Sequence, residues 1–189
     1  MKSQKKELGF TLIELVVVIL VLGILAVTIA SKFIDFRRDG EIAIVKAVAA
    51  SFKQSLTFAH TKWQIIGGSE PMNDLPGFAG GVLDMNSQGY PIGIDKRSPM
   101  GAPNNIGRGE QGCVSLWNAL LTDPPSISLS DIDNGSDFQA YRHRAETNPD
   151  AQSQCTYVLR TLGDTQGYQD AEIVIKYDSV TGMLKVKIS

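Results

Sequence analysis

An α+β fold is expected, with a long helix laid on an antiparallel β-sheet head, and three observations predict it. No proline precedes Pro71, and 15 of the 18 glycines follow residue 63. The stretch they avoid opens as a charge-free apolar run, Leu15–Ser31, and continues with helical periodicity. The carboxyl-terminal end instead carries two alternating segments separated by a turn. Whole-chain composition is 43% hydrophobic and 20% charged, with a net charge of −2 over 189 residues. A polytopic membrane protein would be more apolar, a disordered chain more polar, and a nucleic-acid binder more basic. Nucleic acid is therefore not an expected partner.

The first nine residues, MKSQKKELG, hold three lysines and one glutamate. From Phe10 to Ala30 the only polar residues are Thr11, Glu14 and Thr28. As a helix this segment is about 31 Å long, the thickness of a bilayer's hydrocarbon core. The lysines ahead of it predict a cytoplasmic amino terminus and an exported remainder. A secretory signal peptide has a shorter apolar stretch ending at a cleavage site, whereas this one runs on into amphipathic helix. A plain membrane anchor accounts for everything except Glu14. A carboxylate in an apolar span costs several kcal/mol unless partnered. No lysine or arginine within the helix reaches it, so the expected partner comes from outside the helix.

A basic leader ending in Gly9, followed by Phe10-Thr11-Leu12-Ile13-Glu14 and a long apolar helix, resembles the prepilin signature of type IV pilins and secretion pseudopilins. The resemblance implies that a prepilin peptidase cuts after Gly9 and methylates the new amine of Phe10. It also implies that Glu14 pairs with the amine of a neighbouring or incoming subunit during assembly. Elementary electrostatics agrees, since cleavage creates a cation four residues before a carboxylate in low dielectric. Loss of Lys2, Lys5, Lys6 and Glu7 takes the net charge from −2 to −4. The implied organisation is a leader at 1–9, a transmembrane and filament-core helix at 10–31, an amphipathic helix at 32–66 and a pilin-like head at 67–189. Many relatives have a proline near the position of Ser31. Here only Gly23 and Gly40 weaken the helix.

At 100° per residue, Ile42, Val45, Val48, Ala49, Phe52, Leu56, Ala59 and Trp63 fall within about 60° of one line. That stripe is suited to packing on the head, with Lys46, Lys53 and Lys62 flanking it. The opposite face holds Ala43, Ala47, Ala50, Gln54, Thr57, Phe58 and Thr61, where a solvated face would carry more charge. Ala43, Ala47, Ala50 and Phe58 are therefore candidates for a helix–helix interface with another subunit, the alternative being a weakly polar solvated face.

In the head, Gly67-Gly68, Pro76-Gly77 and Gly80-Gly81 read as turns. Val82–Met85 and Tyr90–Ile94 form a hairpin pattern around residues 86–89. Cys113, Leu116, Trp117, Leu120 and Leu121 have helical spacing, ended by Asp123-Pro124-Pro125. Cys155–Leu162 reads as a strand, and Glu172–Tyr177 with Met183–Ile188 as a terminal hairpin. Cys113 and Cys155 lie on the exported side, where an oxidising compartment favours a disulfide closing 113–155. Their separation, without a nearby His pair, argues against a metal site. The stretch Cys113–Pro125 with its WNALL core, Cys155-Thr156-Tyr157, and Lys32-Phe33-Ile34 resemble pilins of the mannose-sensitive haemagglutinin pilus. The resemblance to type IV pilins implies a carboxyl-terminal disulfide, which is usual in that family and less so in pseudopilins.

Other motifs carry weaker expectations. Gly107–Gly112 matches GxGxxG but lacks a preceding strand and a parallel βαβ unit. Asp131–Asp137 resembles a calcium loop with its glycine one place early and Arg142 in the closing position. His60 falls at the edge of the apolar stripe. Arg142-His143-Arg144, with Arg108, reads as a solvated loop or an anion-recognising patch. No GxSxG, HExxH or CxxC motif is present. No catalytic, metal or cofactor residue is expected. The expected protein is a structural pilus subunit, major or minor, serving surface attachment. Its partners would be other pilin subunits, the prepilin peptidase, the inner-membrane assembly machinery and, before assembly, the membrane. A type II secretion pseudopilin and a membrane-anchored periplasmic enzyme or binding domain are the alternatives.

Overall fold

The computed structural model describes residues 10–94, 96, 100–145 and 149–189; the leader at 1–9, with the expected cleavage residue Gly9, lies outside them. The elements are α1 (Leu12–Ile65), β1 (Leu83–Met85), β2 (Pro91–Ile94), α2 (Gln111–Leu120), β3 (Ile127–Leu129), β4 (Phe138–His143), β5 (Gln154–Leu159), β6 (Ile173–Asp178) and β7 (Met183–Ile188). Two compact units divide between Gly40 and Glu41, and each is taken by itself.

In the first unit, Leu12–Ile29 has a mean hydropathy of 3.1 and buries none of its residues. Its helical backbone satisfies its own hydrogen bonds, the condition for spanning lipid. The apolar side chains are left to be covered by something other than this chain.

In the second unit the stripe read from the sequence is the one that packs. Val45, Ala49, Phe52, Leu56, Ala59 and Trp63 are buried, while Ile42 and Val48 lie against the core. Phe52 sits at its centre, with ring centroids 6.2 Å from Trp117, 5.7 Å from Tyr157 and 5.7 Å from Tyr177. Those three rings come from α2, β5 and β6, so one helix residue ties three elements together. Both buried phenols find an acceptor: Tyr157 donates to the Cys113 carbonyl (3.0 Å) and Tyr177 to that of Pro91 (2.8 Å). The Trp117 indole N–H donates to Pro125 O (3.0 Å), so the proline pair that ends α2 also anchors its main aromatic.

The main sheet runs β3-β4-β5-β6-β7. The pairs from β4 to β7 are antiparallel, as expected, whereas the edge strand β3 runs parallel to β4. Parallel pairs normally need a crossover of a dozen or more residues. Here residues 130–137 suffice because side chains staple the reversal. Ser128 Oγ (3.0 Å) and Gln139 Nε2 (2.9 Å) both donate to Ile132 O. Ser126 N and Oγ donate to Asp137 Oδ2 at 2.9 and 2.7 Å. The β1–β2 hairpin and the β6–β7 hairpin form as expected.

The two hairpin turns meet. Asn86 fixes the first by accepting from Gln88 N and Tyr90 N, and donates to Ser179 O in the second. Tyr90 then lies over Gly182, whose φ of +67° suits the turn and where a Cβ would overlap the ring. The other side of Tyr90 stacks on His60 at 4.5 Å, and His60 Nδ1 donates to Gly89 O (2.9 Å). His60 is thus a packing residue joining α1 to both turns. Cys113 and Cys155 are bonded, linking α2 to β5 with a Cα–Cα distance of 5.7 Å.

Candidate functional site

Phe10 is 83% exposed at the start of the described chain. Thr11 caps α1, its carbonyl accepting the first helical bond from Leu15 N (3.3 Å). Its N–H and hydroxyl donate to Glu14 Oε2 at 2.9 and 2.7 Å, and Glu14 N donates back to Thr11 Oγ1 (3.3 Å). This is a capping box, Thr-x-x-Glu. The carboxylate thus finds two uncharged donors in its own first turn, besides the charged partner expected from outside the helix. The pattern was readable in Thr11-Leu12-Ile13-Glu14. A carboxylate in this position also faces the positive end of the helix dipole. The arrangement presents one preoriented acid at the head of a wholly exposed apolar segment, four residues along the chain from Phe10.

The opposite face of the second half of α1 is uncovered, as read from the sequence. Ala43, Ala47, Ala50 and Phe58 are exposed, Phe58 at 56%. Lining up behind the buried stripe, they leave a narrow small-residue surface of the kind a second helix can approach closely.

The head's motifs resolve into structure. Gly107–Gly112 folds as a loop against the first turn of α2: a Cβ on Gly112 would come within 2.7 Å of the Gly107 Cα. Gly107 N donates to Ile92 O (2.6 Å), and among the described residues no strand leads into the motif. Close backbone packing, rather than phosphate binding, explains these glycines. Arg142 and His143 are not in a loop, as expected, but on β4. Arg142 turns inward and donates to Ile106 O (2.8 Å) and Gly107 O (3.2 Å), which removes it from any surface patch.

His143 turns to the other face of the sheet. Its Nδ1 donates to Arg144 O (3.0 Å), its Nε2 accepts from Thr156 Oγ1 (2.8 Å), and Tyr168 stacks on it at 4.2 Å. Burial lowers its pKa below the ordinary 6.5, and the Lys176 charge adds to the shift. A folded pKa below the unfolded one means the unfolded chain binds more protons, so this contribution is complete above pH 6.5 and is lost as pH falls beneath it. The head is expected to melt at lower temperature as pH falls from 7 to 5. His143→Gln, which keeps an acceptor for Thr156, should flatten that slope in thermal unfolding followed by circular dichroism.

The same face holds a cleft of about 360 Å³ between residues 128–136 and 160–165. Its wall is a network the sequence did not reveal. Arg160 donates to Gln139 Oε1 (2.8 Å), to the Tyr141 hydroxyl (2.8 Å) and to Asp164 O (2.7 Å). These groups satisfy one another, which fits a wall that braces two loops. Among the described residues no three His, Cys, Asp or Glu side chains converge as metal ligands. Asp137, the last carboxylate of the calcium-like run, is instead engaged by Ser126.

Residues 4–30 match the family model for the prokaryotic N-terminal methylation motif. The match indicates an amino terminus like that of type IV pilins and pseudopilins. Such a motif implies cleavage by a prepilin peptidase and polymerisation. Together with the apolar helix it fits an inner-membrane-anchored precursor of an extracellular filament. Searches of curated proteins and of solved structures returned no match.

Proposed function

We propose that the chain is a subunit of a bacterial type IV pilus, cut after Gly9, methylated on Phe10 and polymerised through α1 for surface attachment. The observation that carries this reading is the pairing of two features. A capped carboxylate, Glu14, stands at the head of the segment Leu12–Ile29, whose apolar side chains are all uncovered. The segment rests in the inner membrane before assembly and among neighbouring copies of itself afterwards. The amine freed at Phe10 on one subunit meets Glu14 of another and sets the register. Ala43, Ala47, Ala50 and Phe58 carry the helix–helix contact further along. The boundaries are a leader at 1–9, a filament-core helix at 10–31, an amphipathic helix at 32–66, and a head at 67–189. The Cys113–Cys155 disulfide and the WNALL segment favour a pilin of the mannose-sensitive haemagglutinin type over a secretion pseudopilin.

Mass spectrometry of the chain from cells containing prepilin peptidase should show a methylated amino terminus at Phe10. Glu14→Ala should leave cleavage intact and lower sheared filament yield by about tenfold or more, since an unmatched buried charge costs several kcal/mol. An uncut leader in such cells would sink the reading.

A further inference from the structure

The two ends of the main sheet carry opposite charges that make no ion pair among the described residues. On β6 and β7, Lys176 and Lys185 stand directly across from one another, and Lys187 stands across from Val174 on the same face. Like charges directly opposed across a strand pair destabilise it. Lys176 and Lys185 make no ion pair among the described residues, and Lys187 reaches only a carbonyl, Ala171 O (3.0 Å). Beside them the edge strand leaves Met183 47% exposed. This is a basic, partly apolar patch on a chain whose net charge is negative.

At the other edge, the turn that follows β3 presents Asp131-Ile132-Asp133. All three are exposed, Ile132 at 43%, and neither aspartate makes an ion pair among the described residues. The turn is held in shape by its own backbone. Ile132 O accepts from Ser128 Oγ and Gln139 Nε2, and Ile132 N donates to Leu129 O (3.2 Å). A surface held in its bound shape loses little entropy on docking.

Four strand steps separate β3 from β7, roughly 19 Å at about 4.8 Å per step, so the patches cannot meet within one chain. We propose that they meet between chains: the Asp131-Ile132-Asp133 turn of one copy docks on the Lys176/Lys185/Lys187 face of the next, with Ile132 set against Met183. Acidic and basic patches at opposite edges of one sheet make a head-to-tail contact, which propagates instead of closing as a two-fold dimer. Because the patches differ in sign, the contact also rejects the reversed pairing. This contact rests on the polymerisation proposed above, which brings the heads together, and it assigns the head surfaces that then touch.

The test uses the full chain in cells that carry the assembly machinery. A zero-length carbodiimide, which takes up the water lost as a carboxylate and an amine form an amide and itself leaves as the urea, should join Asp131 or Asp133 to a lysine of β6–β7 in a second copy. Mass spectrometry of isotopically mixed subunits identifies the bond as intermolecular. Asp131→Lys/Asp133→Lys should lower sheared filament yield by about tenfold, the scale of a few like-charge contacts. Lys185→Glu alone should lower it less, and the combination Asp131→Lys/Lys185→Glu should recover part of the loss. Retention of the disulfide and of the wild-type melting temperature shows that the variants still fold. Wild-type yield from both reversals, or cross-links that map elsewhere, overturns the contact while leaving polymerisation standing. Absence of filaments with the intermolecular bond present overturns polymerisation and keeps the contact.

Discussion

Phe52→Ala is expected to destabilise the head by about 3–5 kcal/mol, the range found for deleting a large buried aromatic. The ring is wholly buried and touches Trp117, Tyr157 and Tyr177, which belong to three different elements. None of those rings can follow it into the void. Trp117 is tethered to Pro125 O, Tyr157 to Cys113 O and Tyr177 to Pro91 O. The cavity therefore stays open, and its full cost is felt. Against a total stability of about 5–15 kcal/mol for a domain, that loss is a large fraction of the whole. Both tryptophans, Trp63 and Trp117, lie in the same buried core as Phe52, so their emission reports its unfolding. The urea midpoint should fall sharply with little change in slope. Phe58→Ala, six residues on and exposed, should stay within about 0.5 kcal/mol of the parent. An equal loss from both would mean that the stripe does not hold the head to the helix.

How much of this was legible depended on whether a residue's role was local. The stripe from Val45 to Trp63 repeats at helical spacing, and a run of that length tolerates no other arrangement. The terminal hairpin alternates Ile173, Ile175 and Tyr177 on the core face with Val174 and Lys176 on the opposite face, so its period declared it. β3 and β4 were hidden for a physical reason. β3 is three residues long, and β4 ends in Arg142 and His143, which read as solvent-seeking. Both polar groups are satisfied by chain distant in sequence: Ile106 and Gly107 carbonyls for Arg142, the Thr156 hydroxyl and Tyr168 ring for His143. Only the fold supplies those partners. Long-range packing equally hides the stack of His60, Tyr90 and Gly182. The Glu14 capping box shows the opposite case: Thr-x-x-Glu is a local signal carried by four consecutive residues, whereas a charged partner for the carboxylate has to come from beyond its own helix.

Removing the disulfide is the second large effect expected. Cys113→Ala/Cys155→Ala should cost about 4 kcal/mol on the chain-entropy account, given a bridge across 42 residues. The bridged segment explains why the loss matters here. It contains α2, β3 and β4, including the parallel edge pair, whose short reversal holds together through side-chain staples at Ser126, Ser128 and Gln139. In the unfolded chain the bond keeps α2 and β5 close and shortens the search for that pairing. Its effect therefore lies mainly in the unfolded state, and the reduced head should keep its native near-ultraviolet circular dichroism at low urea while unfolding at a much lower midpoint. Reduced wild-type protein and the double-alanine variant should unfold together, because both lack the same constraint. A reduced protein that unfolds with the oxidised one would show that the core around Phe52 carries the head alone. A double variant that loses its native spectrum before any denaturant is added would instead assign the cysteines a packing role between α2 and β5 beyond the cross-link itself.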